Sequence, residues 1–163
     1  MSKKIYVQLT AQSIDNAIRE IKADRAKDVE RVNMIIDAMC LVGENVAKML
    51  VEHVDTGETI NSIVGYREGD KGLIIAGGAA VWLEFGTGVT KNGAKHPKAD
   101  ELGIAPWGTY GSGKGSDPAG WWYYDEEDKP HHTYGITANM FMYRTAQYLQ
   151  DQWKQMAREA FKK

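Results

Sequence analysis

The sequence predicts an α+β fold in which one long helix and a C-terminal helix pack on a small antiparallel sheet. Three observations predict it. Apolar residues recur every three or four positions from Val29 to Leu50, two short apolar runs at 59–67 and 72–77 flank Glu68-Gly69-Asp70-Lys71, and helical spacing returns after Ile136. The chain has 163 residues, 43% of them hydrophobic, which is enough for one core without disulfide or metal. Residues 1–163 are therefore expected to form a single domain, with residues 89–134 as an extended arm.

Taken in order, Ile5, Val7 and Leu9 alternate with polar residues and predict a short strand. Ser13 is the expected cap of a first helix carrying Ile14, Ala17, Ile18 and Ile21, and Asp24 or Asp28 the expected start of the main one. The main helix places Val32, Ile36, Met39, Val46 and Leu50 on one face, expected to pack on the 59–77 hairpin. A coiled-coil dimer is the rival for that stripe, but its repeat is short and a β-rich segment follows without a linker. Gly43 on the stripe would let a neighbour approach the backbone closely. Asp55-Thr56-Gly57 turns the chain out of the helix, and Ala79 to Phe85 fits either a strand or two helical turns. Gly86 to Gly135 contains ten of the 17 glycines and all four prolines, too long and too broken for an ordinary connection. Within it, Trp121-Trp122-Tyr123-Tyr124 has strand composition, and the acidic run Asp125 to Asp128 is placed to turn the chain back.

Several chemistries are disfavoured by composition and spacing. Twenty Lys and Arg against 22 Asp and Glu give a formal charge of -2, which offers no broad attraction to nucleic acid or anionic lipid. No apolar stretch approaches the ~20 residues needed to span a bilayer. The single cysteine, Cys40, has no internal disulfide partner, which suits a reducing cytoplasm. Gly108 to Lys114 matches most of a phosphate-binding loop, yet Gly115 stands where Ser or Thr must hold magnesium and Pro118 follows where a helix should begin. His96, His131 and His132 share the arm with several acids, but adjacent histidines in an extended segment face opposite ways and no metal-binding spacing occurs. No catalytic residue, cofactor site or metal site is therefore expected, and the chain reads as a non-enzyme. Trp107, Tyr110, Trp121, Trp122 and Tyr124 are the candidate interface residues, since Trp and Tyr anchor protein contacts. Stacking on single-stranded nucleic acid is the alternative for them, and a metal-dependent enzyme the other alternative for the chain; the arm's lysines are matched by at least as many acids.

The order of four features resembles the head-to-tail joining and tail-completion (tail terminator, neck) family of minor tail proteins of tailed bacteriophages. These are a long helix ending in Val54-Asp55-Thr56-Gly57 with Ser62 following, a hairpin, the stretch Leu83-Glu84-Phe85-Gly86-Thr87-Gly88, and Ala138-Asn139-Met140-Phe141 leading into the last helix. Met140 stands where the family usually has Pro, and the arm after Gly88 is longer than expected. The resemblance implies a virion structural protein: a ring of copies, most simply a hexamer, at the neck, terminating the tail tube and joining it to the head connector. Its implied partners are copies of itself, the tail tube protein and the neck protein; it would be made in the host cytoplasm. Glu84, Phe85, Gly86, Thr87 and Gly88 are expected to fix a turn at the base of the arm, with the glycines at positive φ and Thr87 bonding nearby backbone.

Overall fold

A computed structural model describes residues 10–52, 57–88, 96–104, 117–125 and 127–162. Helix α1 runs unbroken from Ala11 to Leu50, and Thr10 caps it by accepting the Ser13 N–H at 3.3 Å. The expected pair of helices is thus corrected to one. No Gly or Pro lies between Ala11 and Gly43, so nothing interrupts the backbone at Asp24 or Asp28. The strand expected over Ile5, Val7 and Leu9 lies outside the described residues, as does Thr56.

Gly57, at φ 76°, opens a five-residue helix α2 (Glu58–Ser62) where the sequence suggested the start of a strand. Ser62 shows why the chain coils here: its hydroxyl donates to the Thr59 carbonyl at 2.7 Å and accepts the Gly77 N–H at 2.8 Å. That second bond ties the end of α2 to the end of the hairpin. The hairpin itself is β1 (Val64–Glu68) and β2 (Lys71–Ile75), antiparallel with Val64 opposite Ile75 and Glu68 opposite Lys71.

Alternation in the hairpin puts Gly65, Arg67, Gly72 and Ile74 toward α1. The approach is close because small residues meet. A Cβ on Gly65 would overlap the Cys40 carbonyl, and one on Gly43 would overlap the Ile74 Cδ1, confirming the close approach expected at Gly43. Glu44 bolts the two elements together by accepting the Gly65 N–H at 2.8 Å. The Lys48 ammonium, and then that N–H, hold the Glu44 carboxyl below its usual range. The ridge of α1 that is most deeply covered is therefore Cys40, Gly43 and Ala47. Ile36, Met39, Val46 and Leu50 are only half-buried on its flanks, and Val29 and Val32 are exposed. The expected face thus holds at Ile36, which lies against Gly72, and at Leu50, which packs on the core, but not at Val32, and the reason is length. The hairpin covers α1 only around Ile36 to Glu44, and α4 ends near Arg31.

Helix α4 (Phe141–Ala160) lies antiparallel to α1, with Arg31 over the Phe161 ring at one end and Arg144 3.5 Å from Glu52 at the other. At 1.5 Å per residue α4 is about 30 Å long and α1 about 60 Å, so the first half of α1 extends past it. Between the two helices and the first hairpin sits the core of Ala47, Val51, Ile63, Ala80, Leu83 and Phe141. Phe141 is fully buried, worth about 1.5–3 kcal/mol. Helix α3 (Ala80–Phe85) supplies Leu83 to that core and settles the ambiguous segment as helix. A second hairpin, β3 (Trp121–Tyr124) with β4 (Pro130–Thr133), completes the α+β fold as a separate two-stranded sheet. The acidic run turns the chain as expected.

Candidate functional site

The Glu84-Phe85-Gly86-Thr87-Gly88 stretch is a clasp that lies against residues 134–143. Gly86 and Gly88 have φ of 71° and 79°, and a Cβ at either would strike the backbone of 134–138. That proximity is what their missing side chains permit. Thr87 and Ile136 exchange backbone bonds at 2.8 and 3.1 Å, and the Thr87 hydroxyl also accepts the Ile136 N–H at 3.1 Å. The Asn139 N–H donates to the Leu83 carbonyl at 2.8 Å and the Met140 N–H to the Glu84 carbonyl at 3.2 Å. Two segments about fifty residues apart are thus stitched along their backbones immediately before Phe141 enters the core.

Glu84 does more than turn the chain. Its carboxylate is buried and accepts the Met142 N–H at 2.8 Å and the Tyr143 N–H at 2.9 Å. Those are two of the unpaired donors in the first turn of α4, so Glu84 caps the helix from a distance where the helix has no cap of its own. The negative charge also faces the positive end of the helix dipole. His96 completes the arrangement at 2.9 Å from Glu84. Its Nδ1 accepts the Lys98 N–H at 3.1 Å, so Nε2 carries the proton and donates to Glu84. The ring lies 4.4 Å from Phe85 and 5.3 Å from Tyr143, centroid to centroid. Only 3% of His96 is exposed, so the ring fastens this part of the chain to the core through Glu84.

Met140 begins α4 in the left-handed region, φ 55° and ψ 33°. A proline, fixed near −65°, cannot take that conformation and would lose the bond to the Glu84 carbonyl. Met140 therefore starts the helix in a way that a proline at this position could not. Asn139 beside it is buried with its side-chain amide unpaired among the described residues.

The second hairpin carries the aromatic run on both faces. Trp122 pairs across the ladder with His132 at 5.1 Å, and Tyr134 packs edge-on against the same ring at 4.8 Å. Tyr123 stacks on His131 on the other face, at 5.4 Å. The two adjacent histidines thus point opposite ways, as extended backbone requires. Trp121 and Trp122 do as well: Trp121 is half-buried, whereas Trp122 is 60% and Tyr124 68% exposed. The turn is organised by Asp125, which accepts the Glu127 and Lys129 N–H groups at 2.9 Å and faces His131 at 2.8 Å. The Lys129 N–H first, then His131, hold its carboxyl below the usual range.

Of the residues singled out in the sequence, the clasp gathers Glu84, Phe85, Gly86, Thr87, Gly88 and Phe141. Gly57 and Ser62 serve the nearby α2 turn, and Trp122 and Tyr124 share an open face on the hairpin. Trp107, Tyr110 and the loop from Gly108 to Lys114 lie outside the described residues. Among the described residues, no group of three His, Cys, Asp or Glu side chains could hold a metal, and no helix is long and apolar enough to cross a membrane. The buried pairing of His96 with Glu84 is what sequence reasoning missed. Comparison with known proteins finds no matching family, no curated relative and no similar solved structure.

Proposed function

We propose that the chain is a non-enzymatic structural subunit of a tailed bacteriophage or tail-like particle, assembling as a ring, most simply a hexamer, at the neck. It would terminate the tail tube there and join it to the head connector, with the tail tube protein and a neck protein as its partners. The observation that carries this is the clasp. A whole set of bonds, including a buried carboxylate cap, fixes the root of an arm whose hairpin holds Trp122 and Tyr124 out in solvent. Rigid roots and exposed aromatics suit a subunit whose work is contact geometry. The acids Asp125, Glu127 and Asp128 beside those aromatics would repel a phosphate backbone, which weighs against the nucleic-acid alternative.

Trp122 and Tyr124 share one face of the hairpin, so they form the pair to remove together. Replacing both by Ala should leave helix content and unfolding midpoint unchanged while weakening assembly by on the order of 2 kcal/mol, about thirtyfold. Sedimentation of purified protein and particle yield measure the two effects. Imaging of the assembled particle should locate the chain in a ring at the neck. A single copy elsewhere in the particle would overturn the proposal.

A further inference from the structure

The first hairpin has a second face, and about half of it stays exposed. Since Gly65, Gly72 and Ile74 point at α1, alternation turns Val64, Tyr66, Leu73 and Ile75 the other way. In a two-layer fold that outward face is ordinarily polar. Here Val64 is 44%, Tyr66 41% and Ile75 49% exposed, with Leu73 half-buried between them. Glu68 and Lys71 stand opposite each other at its turn end and cancel, so the face carries no net charge to repel an acidic partner.

We propose that this face receives the β3–β4 hairpin of a neighbouring copy, sheet against sheet; the inference rests on the self-assembling subunit proposed above and names the surface that the arm grips. Three observations lead there. The two ribbons match in size, four to five residues per strand, or ~13–17 Å at ~3.3 Å per residue. Among the described residues the β3–β4 hairpin belongs to no larger sheet, and it exposes aromatics on both faces, whereas an isolated two-stranded hairpin is marginal in water without something packed on it. At ~150–250 Å² per buried aromatic, the uncovered parts of Trp122, Tyr124, Tyr134, Val64, Tyr66 and Ile75 amount to roughly 600 Å², the apolar centre of a standard interface of ~1,200–2,000 Å². The donor and acceptor surfaces differ, and each copy carries one of each. Such a contact is heterologous and propagates from copy to copy, which is how a ring closes, whereas an isologous contact would stop at a dimer.

The test places a photo-crosslinking amino acid at Tyr66 in the full chain at millimolar concentration, with peptide mapping of the product and sedimentation of the same sample. Crosslinks from position 66 to residues 121–134 of another copy are expected. In a second variant, Ile75→Asp, the unfolding midpoint should stay within about 2 °C of the parent while self-association falls at least tenfold. Met49→Asp, at an exposed position on α1, should change neither. Oligomers that crosslink position 66 to α1, to α4 or to nothing would overturn the acceptor face while leaving the ring intact. A chain that neither crosslinks to itself nor sediments as an oligomer would overturn the acceptor face as well, and imaging of the particle would then decide the ring separately. Normal self-association of a folded Ile75→Asp protein would also overturn it.

Discussion

Glu84→Ala should lower the stability of the protein by about 3–5 kcal/mol, as expected when one partner is removed from a buried, charged hydrogen-bond set. The substitution strips the acceptor from the Met142 and Tyr143 N–H groups and from His96 Nε2 at once, and water has little access to replace it. Against a total of ~5–15 kcal/mol that loss is a large fraction, and for a chain of this size it corresponds to a fall in melting temperature on the order of 10 °C. Glu84→Gln should fall between the two, because the amide keeps one acceptor oxygen but presents a donor to the other N–H. His96→Ala should cost less than Glu84→Ala, since the carboxylate retains both helix donors. Thermal and urea unfolding of the three variants would show this order. A Glu84→Ala protein melting within about 2 °C of the parent would mean that α4 is capped some other way.

How far the sequence could be read depended on whether a feature leaves a local pattern. The long helix, the last helix and the first hairpin do: the spacing of Ile36, Met39 and Val46 is helical whatever packs on it, and Glu68 to Lys71 is turn chemistry on its own. Of the covered ridge of α1 only Gly43 left such a mark, as a place where a neighbour can come close to the backbone. Cys40, Gly43 and Ala47 are the contact because they are small, and smallness reads as weak hydrophobicity until the neighbour that needs the space is known. The glycines at 86 and 88 were legible as positive-φ positions, and the Thr87 bond with them. His96 was not, because a single histidine in a glycine-rich segment has no periodicity and its burial is decided by Glu84, twelve residues away in sequence. Met140 contradicts local preference outright: a left-handed methionine is held by the tertiary bonds of Asn139 and Met140 to α3. Trp121 and Trp122, in contrast, could have been assigned to opposite faces from strand alternation alone.

The close seat of the first hairpin on α1 gives the other large effect: Gly65→Val should destabilise the domain by about 3 kcal/mol or more, at the upper end for overpacking. A Cβ there would overlap the Cys40 carbonyl oxygen and lie 2.9 Å from its carbon and 3.2 Å from the Glu44 Cβ. Two of those atoms are helix backbone and cannot swing away. The hairpin would have to lift, and lifting it loses two further contacts. Glu44 would give up the Gly65 N–H, and Ile74, directly across the ladder from Gly65, would leave the notch that Gly43 opens for it. Gly69→Ala supplies the comparison, because Gly69 has φ 62° but nothing within 4 Å of its missing Cβ. That change carries only left-handed backbone strain, about 1–2 kcal/mol. Urea unfolding should therefore rank Gly65→Val well below Gly69→Ala in stability. Equal stabilities would show that the helix and hairpin can separate at no cost, and that the interlock of Gly43, Ile74, Gly65 and Cys40 does not hold the two layers together.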